Sequence, residues 1–288
     1  MHEANPFGKE VTLDIVESRP SKARVPTNVR AVRIEPDPKD HKAKPLPDEI
    51  DAVIARLPRD TLELIDIHYD CRVPRLPRLE QQTNIRYAHV GAHKLRDRAP
   101  VFGLTRLEGL FLVAVPLPDL SRLQSRSLKR LRIIRGTGTH LDVSAATMFL
   151  QSCTQLTTFG KVDITCLLLE ACRRIDLASL TAVRGLRQLE LLAPGPLASI
   201  DPLRGCASLE SLVITATPLS KVDFRALHDM PSLKWLFLTV GDKRVAELSA
   251  QLPSVMVTNG AACFRGSSPL PKDQYYRETN DASARWRA

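Results

Sequence analysis

The hexad L-x-x-L-x-L returns again and again between residues 62 and 257. It appears as Leu62, Ile65, Ile67; as Leu107, Leu110, Leu112; as Leu128, Leu131, Ile133; and as Leu186, Leu189, Leu191. It continues as Leu209, Leu212, Ile214, as Leu233, Leu236, Leu238 and as Leu252, Val255, Val257, with a weaker copy, QTNIRY, that sets Ile85 and Tyr87 in phase. Starts at 62, 82, 107, 128, 156, 186, 209, 233 and 252 lie 19 to 30 residues apart. A unit that short cannot bury an apolar face alone, so it must lean on its neighbours, and the chain is expected to stack.

The hexad resembles the leucine-rich repeat family over about residues 60 to 258, and its recurrence in register makes the likeness specific. The second halves of the units agree: PLASIDPLRGCASL (196 to 209) and PLSKVDFRALHDMPSL (218 to 233) each run from a turn through spaced apolar residues into the next hexad. What the resemblance implies is an α/β fold, a solenoid bent into an arc with a parallel sheet on its concave face. One place breaks phase. Leu156 opens LTTFGK, which lacks a third apolar residue, whereas Ile164 opens the complete ITCLLL. Two full units cannot start eight residues apart. LQSCTQL before Leu156 matches LRGCASL before Leu209, which favours a strand at 156 and a helix over CLLLEACRRI. The same match makes Cys153 and Cys206 core fillers, three residues before a unit start like Val183 and Met230.

Residues 1–50 stand outside the pattern. VTLDIV (11 to 16) and VRAVRIE (29 to 35) alternate like strands and read as a strand-containing cap over the apolar end of the stack, followed by the linker EPDPKDHKAKPLP and a short helix over 48 to 57. The array is assigned to 51–260. Residues 261–288 are polar and without period, and read as a flexible tail in which Tyr275, Tyr276 and Trp286 could fold back.

Successive side chains on a strand point to opposite faces. If the three apolar positions of each hexad point inward, the third and fifth places and the residue just after it point into the hollow of the arc. That assigns Phe111, Arg130 and Arg132 to the hollow in the middle units, and Val213, Trp235, Phe237 and Met256 near the C-terminal end. Arg86 and Ala88 follow from the weaker copy. Trp235 and Phe237 stand where a half-buried strand would carry polar residues. Aromatic and arginine side chains anchor protein interfaces, so these residues mark a surface for another protein or a peptide, unless the tail or a loop covers them.

Chemistry of other kinds finds little purchase. RGTGTHL (135 to 141) has Gly136 and Gly138, but Leu141 stands where a dinucleotide fingerprint needs its third glycine. His68, Cys71, His89 and His93 approach a zinc-finger spacing, though the glycine in HVGAH argues against a helix presenting the last two together. Some bacterial proteins with such repeats carry a ligase domain with a reactive cysteine, yet Cys263 is the sole cysteine of the tail and no histidine follows His228. We expect no catalytic residues, no cofactor and no metal.

The net charge of +9 raises the question of nucleic acid. Residues 1–50 carry nine charges of each sign, and the local excess is a run with no acid among Arg122, Arg126, Lys129, Arg130, Arg132 and Arg135. With aromatics at 5% and no RNA-binding or helix-turn-helix pattern, that run reads as a solvated face, and a nucleic-acid partner is not expected. Six scattered cysteines, no apolar run long enough for a membrane and no signal-like N-terminus point to a cytoplasmic protein with reduced thiols.

Overall fold

The structure is a computed structural model that describes residues 12–22, 28–40, 44–79, 81–92, 95–126, 128–197, 199–219, 222–266 and 268–269. The expected tail beyond Pro269, with Tyr275, Tyr276 and Trp286, lies outside the described residues, as does His93. Contacts divide the chain into two compact units, Met1–Cys153 and Thr154–Ala288.

Unit 1 is built on parallel strands β1 (Thr12–Val16), β2 (Ala31–Glu35), β3 (Leu64–Ile67), β4 (Tyr87–Val90), β5 (Gly109–Val113) and β6 (Arg130–Ile134). After a two-residue strand, β7 (His140–Leu141), comes β8 (Thr147–Gln151), which pairs with β6. Neighbours in sequence are neighbours in the sheet, from β1 on β2 through β5 on β6. The N-terminal strands therefore continue the same sheet, β2 lying parallel to β3. Helices are short: α1 (Pro47–Ile54) and α2 (Ala99–Phe102), each with proline in its first turn, where the missing N–H costs nothing. A 3₁₀ turn over Leu117–Arg122 completes the other side.

Unit 2 repeats the plan. A two-residue strand β9 (Thr158–Phe159) precedes parallel β10 (Cys166–Glu170), β11 (Gln188–Leu192), β12 (Ser211–Thr215), β13 (Trp235–Leu238) and β14 (Met256–Thr258). Strands β15 (Cys263–Arg265) and β16 (Ser268–Pro269) then turn back antiparallel. Between strands run 3₁₀ turns over Leu177–Ala182, Asp201–Gly205 and Arg225–Asp229, and helix α3 (Asp242–Gln251) precedes β14.

The core follows the hexads. Leu110, Leu131 and Met148 lie side by side in unit 1, as do Leu167, Leu189, Leu212, Leu236 and Val257 in unit 2, and all are buried. Each fully buried leucine or isoleucine contributes about 1.5–3 kcal/mol relative to exposure. Six strands also end alike: Ala114, Arg135, Ser152, Ala171, Ala193 and Ala216, one residue past β5, β6, β8, β10, β11 and β12, have φ between 49° and 57°. The chain thus leaves each of these six strands through one left-handed residue. The next residue turns inward, as with Val115, Cys153 and Cys172. Gly91 marks a closer approach, for a Cβ there would stand 2.8 Å from the Tyr69 nitrogen.

Three expectations are corrected. The strand is at Ile164: β10 carries Leu167 and Leu169 inward, and CLLLEACRRI is not a helix. Leu156 is buried but opens no strand of the main sheet, and Cys153 therefore occupies the turn after β8, its thiol 3.7 Å from the Gln151 carbonyl. The unit between, with Ala145, Met148 and Leu150 at the hexad places, escapes a search for bulky first residues. The weaker copy also shifts by three places, because Ile85, Ala88 and Val90 are the buried set and Tyr87 lies opposite Gly109. At the C-terminal end, Val257 pairs with Leu236 and Met256 with Trp235, so the strand runs two places out of the LPSVMV phase.

Candidate binding surface

On the open face, opposite the leucines, register sets side chains in rows. The middle row of unit 1 reads Asp14, Arg33, Asp66, His89, Phe111, Arg132, Phe149. Its first half is ion-paired, Arg33 Nε donating to Asp66 at 3.2 Å. The second half is aromatic. The Arg132 guanidinium carbon lies 5.2 Å from the Phe111 ring centre and 4.8 Å from that of Phe149, and His89 meets Phe111 edge-on at 6.1 Å. Neighbouring strands about 4.8 Å apart let one arginine reach a ring on either side. Such contacts are worth about 0.5–2 kcal/mol each, more as water is excluded. Arg132 Nε is shielded from solvent and meets no hydrogen-bond partner among the described residues.

Unit 2 shows the same alternation. Trp235 and Phe237 are half-buried and Leu236 and Leu238 fully buried, so the two aromatics stand on the open face, ring centres 6.2 Å apart. Val213 lies beside Phe237 and Met256 beside Trp235, but both are buried, at 7% and 5% exposure, rather than open to a partner. The turn between β14 and β15 accounts for part of this: a Cβ on Gly260 would stand 3.6 Å from Phe237, and Asn259 Nδ2 ties the turn to the Val240 carbonyl. An irregular loop thus closes the C-terminal margin of the patch. The Trp235 indole nitrogen is shielded and finds no partner among the described residues.

Arg86 is not a member of the open face. It precedes β4, and its Nε donates to Glu108 at 2.7 Å while its guanidinium lies 5.7 Å from the Tyr87 ring. It belongs to a ladder at the second hexad place. Arg30 meets Glu63 at 2.7 Å, and Lys129 joins Arg86 on Glu108 at 2.9 Å. Unit 2 repeats it, with Arg187 and Lys234 both on Glu210. Hydrogen bonds from Lys129 and Arg86 hold the Glu108 carboxyl below the usual carboxylate range. Burial pulls Glu210 upward, and the bonds from Arg187 and Lys234 outweigh it. The alternation of R, E, R, E, K at that place was visible in the sequence; Phe149 and His89 were hidden by the displaced units.

The basic run from 122 to 135 is divided by the same geometry. Arg122 sits on the 3₁₀ turn near Phe102, Lys129 is in the ladder, Arg130 and Arg132 lie on the open face and Arg135 in the turn beyond. The zinc-like set is divided too. His89 stands on the open face, while Cys71 is buried with its thiol 3.1 Å from the Ile34 carbonyl, and no group of metal-binding residues is assembled among the described residues. Burial pushes the Cys71 thiol up, and that of Cys206 to about 11. All six cysteines are free thiols. No helix among the described residues is long and apolar enough to cross a membrane.

No protein-family model matches the chain, and no curated protein sequence does. Among solved structures, it is similar to internalin C2 of Listeria monocytogenes strain 4b F2365, at 15% identity and a TM-score of 0.33, over 69% of this chain and 79% of that one. That likeness is too loose to carry a function across.

Proposed function

We propose that this chain is a non-catalytic leucine-rich repeat module that holds a protein or peptide on the open face of its strands, acting as a scaffold, a regulator or an immunity-type inhibitor. Within each unit the inward hexads, the parallel neighbours and the inward residue three places past the hexad, filled by Cys153 and Cys172, support the repeat reading. The concave face of an arc would then be the face that carries Phe111, Arg130, Arg132, Trp235 and Phe237. Six free thiols support a reducing, cytoplasmic setting.

One observation carries the binding reading: Arg132 stacked between Phe111 and Phe149 on the side of the sheet away from the core. Nothing in the packing of the leucines requires aromatic and guanidinium groups there, and these are the side chains that dominate interface energies. The test is affinity capture from the native cell with wild type, the double variant Phe111→Ala/Arg132→Ala and the double variant Trp235→Ala/Phe237→Ala, followed by titration of the purified captured protein. Variants with unchanged circular dichroism should bind at least about tenfold more weakly, since each lost anchor is worth about 1.4 kcal/mol or more. Equal affinity for all three proteins refutes the reading.

A further inference from the structure

The open face of unit 2 has a chemistry of its own. Its rows read Cys166, Gln188, Ser211, Trp235, Met256 and then Leu168, Glu190, Val213, Phe237, Thr258, with Glu170, Leu192 and Thr215 beyond. None of these is lysine or arginine. Glu190 stands between Leu168 and Val213, one strand from each, and its carboxylate has no ion pair or hydrogen bond among the described residues. Burial alone pushes its carboxyl above the ordinary value. An anion half-shielded on an apolar surface is unfavourable until a cation meets it. The contrast with the ladder is plain: Glu108 and Glu210 each hold two cations.

We infer that the open face of unit 2 takes an extended peptide segment that sets an arginine or lysine on Glu190 and apolar side chains against the half-buried Leu168, Trp235 and Phe237. The inference rests on the protein-binding reading and names the chemistry of the bound segment. Geometry specifies its spacing. Same-face residues of an extended chain are about 7 Å apart and neighbouring strands about 4.8 Å. With the cation over Glu190 and the segment crossing the strands, a residue two places to one side falls near Leu168, and its counterpart passes the buried Val213 and falls toward Phe237. The segment should read apolar-x-basic-x-apolar. The aromatic row of unit 1 is unsuited to it, because Arg132 there repels a cation.

A random nonapeptide library displayed on particles and selected against the full chain tests this, with Glu190→Gln as the matched target. Wild type should enrich apolar-x-basic-x-apolar, and Glu190→Gln should lose the preference for the basic residue. A synthesised winner should bind wild type at least about tenfold more tightly than Glu190→Gln, as expected for one desolvated ion pair. Enrichment without a basic residue would overturn the inference and leave the protein-binding reading standing. A basic preference that survives in Glu190→Gln, or no enrichment on either target, would also overturn it. The same selection on Arg285→Ala/Arg287→Ala covers the remaining occupant. If peptides emerge only from that variant, the chain's own ARWRA sequence fills the site, and an external segment is ruled out.

Discussion

Leu236 and Phe237 are chain neighbours on β13, and replacing each by alanine should have very different consequences. Leu236 is 0% exposed and flanked in register by Leu212 and Val257, so Leu236→Ala removes a side chain from a site with little freedom to collapse. Such replacements cost about 2–5 kcal/mol, and full burial between two strands places this one at about 3–4. Phe237 is half-buried and keeps the Trp235 ring at 6.2 Å and the Gly260 turn on one side. Losing about half of a buried phenylalanine's value gives about 1.5–2 kcal/mol. Urea unfolding followed by tryptophan emission measures both, in a Trp286→Phe background that leaves Trp235 as the sole reporter. The expected result is a midpoint shift for Leu236→Ala about twice that for Phe237→Ala, at similar slope. Equal shifts would mean that Phe237 packs as a core residue and would refute the assignment of faces.

Glu190→Gln should raise the melting temperature at neutral pH while weakening cationic peptides. Because the folded carboxyl titrates above its unfolded value, the native chain binds more protons across that window, so wild-type stability falls as pH rises through it; the advantage of Gln should vanish below the ordinary carboxylate range. Glu108→Gln has the opposite sign. Its carboxyl is held low by Lys129 and Arg86, so the stabilisation is present above the ordinary value and lost as pH falls through the folded one. With Lys129 67% exposed, the loss measured by denaturant at pH 7 should be only about 0.5–1 kcal/mol and should shrink in high salt. Gly91→Ala should destabilise by about 1–3 kcal/mol in thermal unfolding, because the new Cβ meets Tyr69 backbone at 2.8 and 2.9 Å rather than a movable side chain. Among the cysteines, half-buried Cys166 should react first with a thiol reagent on the folded chain, with Cys71, Cys153 and Cys206 following only on unfolding.

Bulky hexads were legible because burial selects leucine at three fixed places, and from Leu186 to Leu238 the register in the sheet follows them strand by strand. Where a first place shrinks to Ala145, the apolar signal fades although the strand remains, and Phe149, the second ring on Arg132, went unseen with it. At Leu156 a resemblance between flanking segments outweighed the missing third apolar residue, whereas sheet formation followed the complete set at Ile164. QTNIRY misled by three places because tyrosine passes for an inward residue; the small Ala88, fully buried, holds the fourth place of the hexad that starts at Ile85. Arg86 followed that slip out of the open face and into an ion pair with Glu108. Burial of Val213 and Met256 depends on groups near them in space, such as the turn at Gly260, which no spacing within a hexad encodes.

The central claim is that the strands' open face, and not the side of the 3₁₀ turns, meets another protein. Hydroxyl-radical footprinting of the full chain, alone and with its captured partner, addresses it directly. Protection should appear at Phe111, Phe149, Trp235 and Phe237 and be absent at Arg122 and Arg225 on the turns; protection confined to the turns, with the four aromatics unchanged, would contradict it.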